Sequence, residues 1–274
     1  MKAAAFAYVR ADSVAHAVEL LAADPDGARV LAGGQSLGPM LNLRLARPSM
    51  LIDIKRVASL RGVEADDRTL RLGACWTHAE IEDGVVEDPT CGLLPSVARG
   101  IAYRAVRNRG TIGGSLAHAD PAADWVAAMA VLGAGVIVHG PGDAVRRCGV
   151  DAFMHAGFAT DLQRGEMIAA IEVPRLSPGA RWGYYKVCRK RGEFATAIGA
   201  AVLDASVGIA RVVCGAISGP PLLLPTTAAR LAEGGPDAAT EVIADELADL
   251  MAHEDAAARQ VYGVAVRRAL RQLA

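Results

Sequence analysis

Apolar residues at Val14, Ala17, Val18 and Leu21 fall on one helical face, and the spacing predicts a helix from Ser13 to Ala22 capped by Ser13 or Asp12. The run before it, from Met1 to Arg10, reads as a strand rather than a leader, because Arg10 and Asp12 interrupt the short apolar stretch. Arg29 to Ala32 reads as a strand that runs straight into Gly33-Gly34. Residues 36–45 then look helical, Pro48 punctuates, and Met50 to Ile54 form the next strand. Residues 1–55 are therefore expected to make a small α/β unit.

Arg68 to Ala74 alternates in strand fashion, Thr77 to Glu82 begins a helix, and Leu93 to Ala105 predicts a longer helix ending near Asn108-Arg109-Gly110. Asp120-Pro121 has the chemistry of an N-cap followed by a first helical residue, which places a helix from there to about Leu132. Val136 to Val138 and Ala144 to Arg147 flank Gly140-Pro141-Gly142-Asp143 and predict a hairpin, and Met167 to Val173 a further strand. Pro174 to Gly179 is the strongest linker signal in the chain. Beyond it the texture changes. Strand-like runs at 182–190, 195–204 and 209–216 precede helical patterns from about Thr226 onward. The expected architecture is α+β in two domains, residues 1–173 (subdomains about 1–55 and 56–173) and residues 179–274, the second with a three-stranded antiparallel sheet and helices.

Composition narrows the function classes. The 274 residues are 52% hydrophobic and 22% charged, with a formal charge of −1 and no long block of Lys or Arg, so no footprint for binding nucleic acid is present. The longest strongly apolar stretch, Trp125 to Val138, is shorter than the roughly 20 residues of a membrane span, and a cytoplasmic address is the default. The five cysteines are scattered with no CxxC pair, and the six histidines show no HxH spacing, so neither an iron–sulfur cluster nor another metal site is expected on this chain. No nucleophile with a plausible base stands out, and no catalytic residue is assigned.

Two glycine-rich segments carry the candidate chemistry. In Ala32-Gly33-Gly34-Gln35-Ser36-Leu37, paired glycines between a strand and a helix let the backbone approach an anion, with successive N–H groups and the Ser36 hydroxyl as donors. A tight strand-to-helix turn also needs glycine for purely conformational reasons. Asp53 lies where a Rossmann acid would, but Gly33, Gly34 and Gly38 do not have the G-x-G-x-x-G spacing. The second segment, Gly110-Thr111-Ile112-Gly113-Gly114-Ser115, again combines paired glycines with hydroxyls beside a helix. A diphosphate has two anionic centres, and two such loops suit one dinucleotide.

The first loop with Asn42-Leu43-Arg44, and above all the long stretch from Arg107 to Asp124, resembles the FAD-binding medium subunit of the molybdenum hydroxylases, which include aerobic carbon monoxide dehydrogenase and the xanthine dehydrogenases. The stretch from Lys186 to Ala195 and the final Val266-Arg267-Arg268-Ala269-Leu270 extend the likeness along the whole chain. The resemblance implies a noncovalent FAD gripped by the N-terminal domain in the manner of vanillyl-alcohol oxidase, with a smaller C-terminal domain closing over the flavin. Ala32, Gly33, Gly34, Gln35 and Ser36 would hold the pyrophosphate with Leu37 beside them. Thr111, Gly113, Gly114 and Ser115 would take its other side, and Ile101, Ala102 and Ile168 would make apolar or backbone contacts. Asp124 would accept from the flavin N3–H, and Lys186 would sit near the N1 and C2 carbonyl edge where reduction places negative charge. Tyr184 or Tyr185 would lie against the ring. Gln35 departs from the pattern, standing where carbon monoxide dehydrogenase relatives often carry His.

Each of these residues also has a plainer reading. An aspartate in a first helical turn is favoured by the helix dipole, and Lys186 with Arg189 to Arg191 suits a solvated strand edge. His118 fits a loop or core histidine. The implied partners are a molybdopterin-binding large subunit and a [2Fe-2S] small subunit, in a heterotrimer or its dimer, with an acceptor such as NAD or a quinone. The competing readings are a free-standing FAD oxidase or dehydrogenase of the vanillyl-alcohol-oxidase type, and a non-redox assembly module.

Overall fold

A computed structural model describes residues 2–274. The chain begins with β1 (Ala7–Arg10), α1 (Val14–Ala23), β2 (Ala28–Leu31), α2 (Leu37–Asn42) and β3 (Met50–Asp53), and its three strands form a parallel sheet in the order β1-β3-β2. Ser13 caps α1 by accepting the His16 N–H at 3.1 Å, and Ala17, Val18 and Leu21 turn inward onto Ile52. The helix expected over 36–45 is only six residues long. Leu43 and Leu45, which extend the apolar pattern, project into solvent, so no core stabilises further turns, and the chain reverses at Arg44 with φ 57°.

The next stretch contributes β4 (Val63–Ala65), β5 (Thr69–Gly73), α3 (His78–Glu82), α4 (Leu93–Gly100), α5 (Arg104–Arg107), α6 (Ile112–His118), α7 (Asp124–Leu132), β6 (Gly135–Gly140), β7 (Ala144–Gly149), α8 (Val150–Phe153), β8 (Met154–Ala156), β9 (Ala159–Thr160) and β10 (Met167–Pro174). Its main sheet is antiparallel in the order β4-β5-β10-β6-β7, so the last strand inserts at the centre and its burial is nearly continuous. All nine residues of α7 are buried, as expected for a helix that beyond Asp124 is apolar on every side.

Two further helix boundaries differ from expectation. The helix placed over 93–105 is two helices, α4 and α5, separated at Ile101–Tyr103, where Ala102 is left-handed with φ 43°. A long-range bridge between Ile101 and Gly192 replaces the helical bonding that would have continued there. The helix placed from Asp120 starts at Asp124 instead. Asp120 forms its own turn, accepting the Ala122 N–H through its side chain at 2.9 Å and the Ala123 N–H through its carbonyl at 2.9 Å.

The C-terminal part holds β11 (Arg181–Val187), β12 (Ala197–Asp204), β13 (Ile209–Gly215), β14 (Leu222–Leu223), α9 (Pro225–Leu250) and α10 (Ala256–Leu270), with an antiparallel sheet in the order β11-β12-β13-β14. The two-residue β14 extends the three expected strands. Helix α9 bends at Gly235 (φ 76°) just before Pro236. Along β12 the strand period sorts side chains to two cores: Ile198, Ala200 and Val202 join α7, while Ala201 joins α9 and α10. The sheet is thereby held between its own helices and α7. Among the described residues no helix is long and apolar enough to cross a membrane.

Candidate functional site

The two glycine turns, separated by more than 70 residues in sequence, meet backbone to backbone. A Cβ built at Gly33 would lie 2.1 Å from the Arg109 carbonyl oxygen and 2.8 Å from the Gly110 Cα, and one at Gly114 would face the Ala32 methyl at 3.8 Å. Only glycine permits the first approach.

Within the first turn Gly34 is left-handed (φ 70°), and Gln35 Nε2 donates to the Gly33 carbonyl at 3.1 Å, which pins the loop from its own side chain. Among the described residues, the five consecutive backbone N–H groups from Gly33 to Leu37 have no protein acceptor, and Ser36 precedes α2 without a side-chain capping bond. That is a run of donors directed away from the protein's own hydrogen bonding. An anionic oxygen is the natural partner for such a run.

The second turn is bonded differently. Thr111 caps α6 by accepting the Gly114 N–H at 3.1 Å; the Ile112 N–H goes to Trp76 O at 3.1 Å, the Gly113 N–H to Ala74 O at 3.0 Å, and the Ser115 N–H to Thr111 O at 3.0 Å. A Cβ at Gly113 would come within 2.5 Å of the Ala74 methyl. This turn is held down by the β5–α3 segment beneath it.

Asp124 and Lys186 come together at the junction of α7 with the C-terminal sheet. Lys186 Nζ donates to Asp124 Oδ2 at 2.8 Å and to the Gly100 carbonyl at 3.1 Å, and the Tyr184 hydroxyl donates to Asp124 Oδ1 at 2.9 Å. Both charged side chains are nearly enclosed, with exposures of 10% for Lys186 and 6% for Asp124. Burial, and then the neighbouring Asp124, push the Tyr184 hydroxyl well above its usual pKa, so it stays a proton donor. An ammonium has three donors and a carboxylate about four acceptor positions, so each group keeps capacity for a ligand.

Ile101 and Ala102 form the break between α4 and α5. Arg107 Nη1 donates to both of their carbonyls, at 3.0 and 2.9 Å, while its Nε bonds Glu82 at 2.7 Å. Gly192 packs against them from the C-terminal part, where a Cβ would lie 2.6 Å from Ala102 O. A cleft of about 460 Å³ opens beside this junction, lined by Arg99, Tyr103, Arg104 and Arg191 among others. Glu82 and Asp83 already pair with Arg104, and Glu82 with Arg107.

The remaining candidates separate from this group. Ile168 is 4% exposed on β10, opposite Val138, and belongs to the core. Tyr185 turns to α10, where it accepts from Arg268, whose guanidinium stacks 4.8 Å from the ring centroid. Arg189, Lys190 and Arg191 are exposed. His118 closes α6 and packs on Phe158, with ring centroids 5.2 Å apart.

The roles of His78, Trp125, Arg107 and Gly192 are not readable from the sequence: Arg107 and Gly192 fall inside the stretches 107–124 and 186–195 that carry the resemblance, but like His78 and Trp125 each acts through a neighbour that is distant in sequence. The one local signal is the capping box at Thr77 and Glu80, whose two reciprocal bonds start α3 and aim His78 inward.

A diphosphate needs clustered N–H donors and room for close backbone approach, and the junction of the two turns provides both. The class of protein is thus a dinucleotide-binding one, whose chemistry resides in the bound cofactor. Residues 4–176 match the family described as the FAD binding domain in molybdopterin dehydrogenase, and the chain belongs to that family. It is 38% identical over 201 residues to the carbon monoxide dehydrogenase medium chain of Hydrogenophaga pseudoflava, which is 73% of this chain and 70% of that one. It is 39% identical over 195 residues to the 6-hydroxypseudooxynicotine dehydrogenase complex subunit alpha of Paenarthrobacter nicotinovorans, covering 71% of this chain and 66% of the relative. In three dimensions it superposes on carbon monoxide dehydrogenase from Hydrogenophaga pseudoflava with a TM-score of 0.89 at 32% identity, covering 100% of this chain and 98% of that one. The protein is therefore an FAD-binding medium subunit of the molybdenum hydroxylase type, part of an oxidoreductase.

Proposed function

We propose that this chain holds FAD noncovalently at the junction of its two glycine turns and relays electrons within a three-subunit hydroxylase. The observation that carries the reading is the run of five N–H donors from Gly33 to Leu37, set directly against the backbone of the second turn. In this reading Ala32, Gly33, Gly34, Gln35, Ser36 and Leu37 bind one phosphate, and Thr111, Gly113, Gly114 and Ser115 shape the other side of the diphosphate site. Ile101 and Ala102 offer the flavin a backbone edge. Asp124 and Lys186 bind its polar edge with the capacity left over from their mutual pair, and Ile168 supports the site from the core. The division into residues 1–173 and 179–274 is part of the proposal, with the C-terminal part supplying Lys186.

Bound FAD supplies the redox chemistry, since a flavin takes electrons singly and releases them in pairs. The residues of this chain bind and orient it, and Lys186 favours the reduced form by placing positive charge near the edge where negative charge develops. A [2Fe-2S] small subunit is the proposed donor, a molybdopterin-binding large subunit the place where the organic substrate is oxidised, and NAD or a quinone the final acceptor, in a cytoplasmic complex. The test is to release the chromophore from the purified chain and to pull down its tagged form from the source cells. FAD in the supernatant, with copurifying iron–sulfur and molybdopterin subunits, is the expected result; a chain that neither carries nor takes up FAD would sink the reading.

A further inference from the structure

His78 is the first residue of α3 and is 6% exposed, beneath the second glycine turn. Its backbone N–H donates to the Gly110 carbonyl at 2.9 Å. The Nε2–Cδ2 edge of its ring lies against Gly110, close enough that a Cβ there would lie 2.6 Å from Nε2 and 2.8 Å from Cδ2. On the other side, Nδ1 accepts the Trp125 indole N–H at 2.9 Å. Trp125 adjoins Asp124 in the first turn of α7 and is fully buried.

One neutral imidazole thus touches both parts of the proposed site that come from separate helices. Because Nδ1 is the acceptor, the ring proton sits on Nε2. A protonated ring would set two N–H groups against each other at Trp125. Burial and the nearby Arg107 both oppose protonation and hold the group at about 4. The bond to Trp125 also explains a small residue at position 110, since the ring occupies the space a side chain would need.

We infer that His78 is a positioning residue of the flavin site, fixing the spacing between the Gly110–Ser115 turn and the Asp124 end of α7. The inference rests on the reading that these two segments face FAD. It requires no contact between His78 and the cofactor. Removing the Nδ1 acceptor leaves the buried Trp125 N–H unpaired, and α7 shifts to relieve it. Asp124 then moves relative to the turn, and the flavin's polar edge is held less well.

The test compares His78→Phe, which keeps the ring and loses the acceptor, with His78→Asn, which keeps an acceptor at the Nδ1 position. Ile81→Val, in the same helix and 1% exposed, serves as a control for simple loss of packing. Titrating the full-length chain with FAD by flavin fluorescence, His78→Phe is expected to weaken binding about ten-fold or more. It should also shift the visible absorption and reduction potential of the flavin that still binds. His78→Asn should recover most of both, and Ile81→Val should lower the melting temperature without moving either. If His78→Phe does not fold, Trp125→Phe removes the same hydrogen bond from the other side and is expected to give the same spectral change. FAD affinity within two-fold of wild type and an unchanged spectrum, in whichever of these variants folds, would overturn the inference. A wild-type chain that binds no FAD would overturn the cofactor reading first and this one with it, so the two failures are told apart by the wild type alone.

Discussion

The two glycine turns look alike in sequence, each with paired glycines and a following serine, yet they are built for different tasks. Among the described residues, the first leaves the N–H groups of residues 33–37 without protein partners. The second directs those of Ile112, Gly113, Gly114 and Ser115 into the protein. A loop that satisfies its own backbone is rigid and offers shape; a loop that does not offers hydrogen bonds and needs a ligand to complete it. The difference arises below the turns. The second lies on Ala74 and Trp76 at the end of a central sheet, where acceptors are at hand, whereas the first leaves an edge strand of a three-stranded sheet for a six-residue helix.

The comparison breaks most completely at the contact between the turns. Gly33→Ala places a methyl on the Arg109 carbonyl and should abolish FAD retention by forcing the turns apart, while Gly38→Ala, whose Cβ meets nothing within 4 Å, should retain the cofactor. Measuring bound FAD per chain after gel filtration decides it; equal content in the two variants would show that the contact is not needed. Next in size is Lys186→Ala. It strands the nearly buried Asp124 with only Tyr184, and should cost about 3 kcal/mol of stability as well as FAD affinity. Chemical denaturation of the variant would reveal an unchanged midpoint if the pair were only a surface bridge.

Acid should act on the second turn before the first. His78 has its pKa lowered from 6.5 to about 4 by burial and by Arg107, so in the folded chain it is neutral where the unfolded chain is protonated. The unfolded state therefore binds more protons between these values. The resulting stability is fully present above pH 6.5 and is lost as pH falls toward 4, by up to about 3 kcal/mol. His78→Asn should flatten the melting temperature over that window; a profile as steep as wild type would point to other groups. The smallest effects separate the turns directly. Thr111→Val removes a helix cap and should cost about 1 kcal/mol. Ser36→Ala removes no capping bond and should leave the melting temperature unchanged, while weakening FAD binding a few-fold. Identical behaviour of the two variants in melting and FAD titration would show that the two turns do not differ in task.

Much of the secondary structure was legible in local patterns. Ser13, the turn at Gly140 to Asp143 and the change of period after Pro174 marked their elements because capping, turn chemistry and side-chain alternation act over a few residues. Helix ends depend on contacts from farther away. The break at Ile101 to Tyr103 comes from a bridge to Gly192, about ninety residues away in sequence, and the shortness of α2 comes from the lack of any core beneath Leu43 and Leu45.

The site divides along the same line. By itself the sequence determined where the backbone has a glycine's freedom, since Gly33, Gly34, Gly113 and Gly114 are written in the chain, and it carried the family likeness in the stretch from Arg107 to Asp124. Only the tertiary structure decided that the two turns touch, that one is satisfied and the other open, that Asp124 pairs with Lys186, and that His78 joins Gly110 to Trp125. The reason is physical: a residue's conformational range is a local property, but a hydrogen-bond partner is whatever the packed chain brings within about 3 Å, and that depends on every layer of the fold at once.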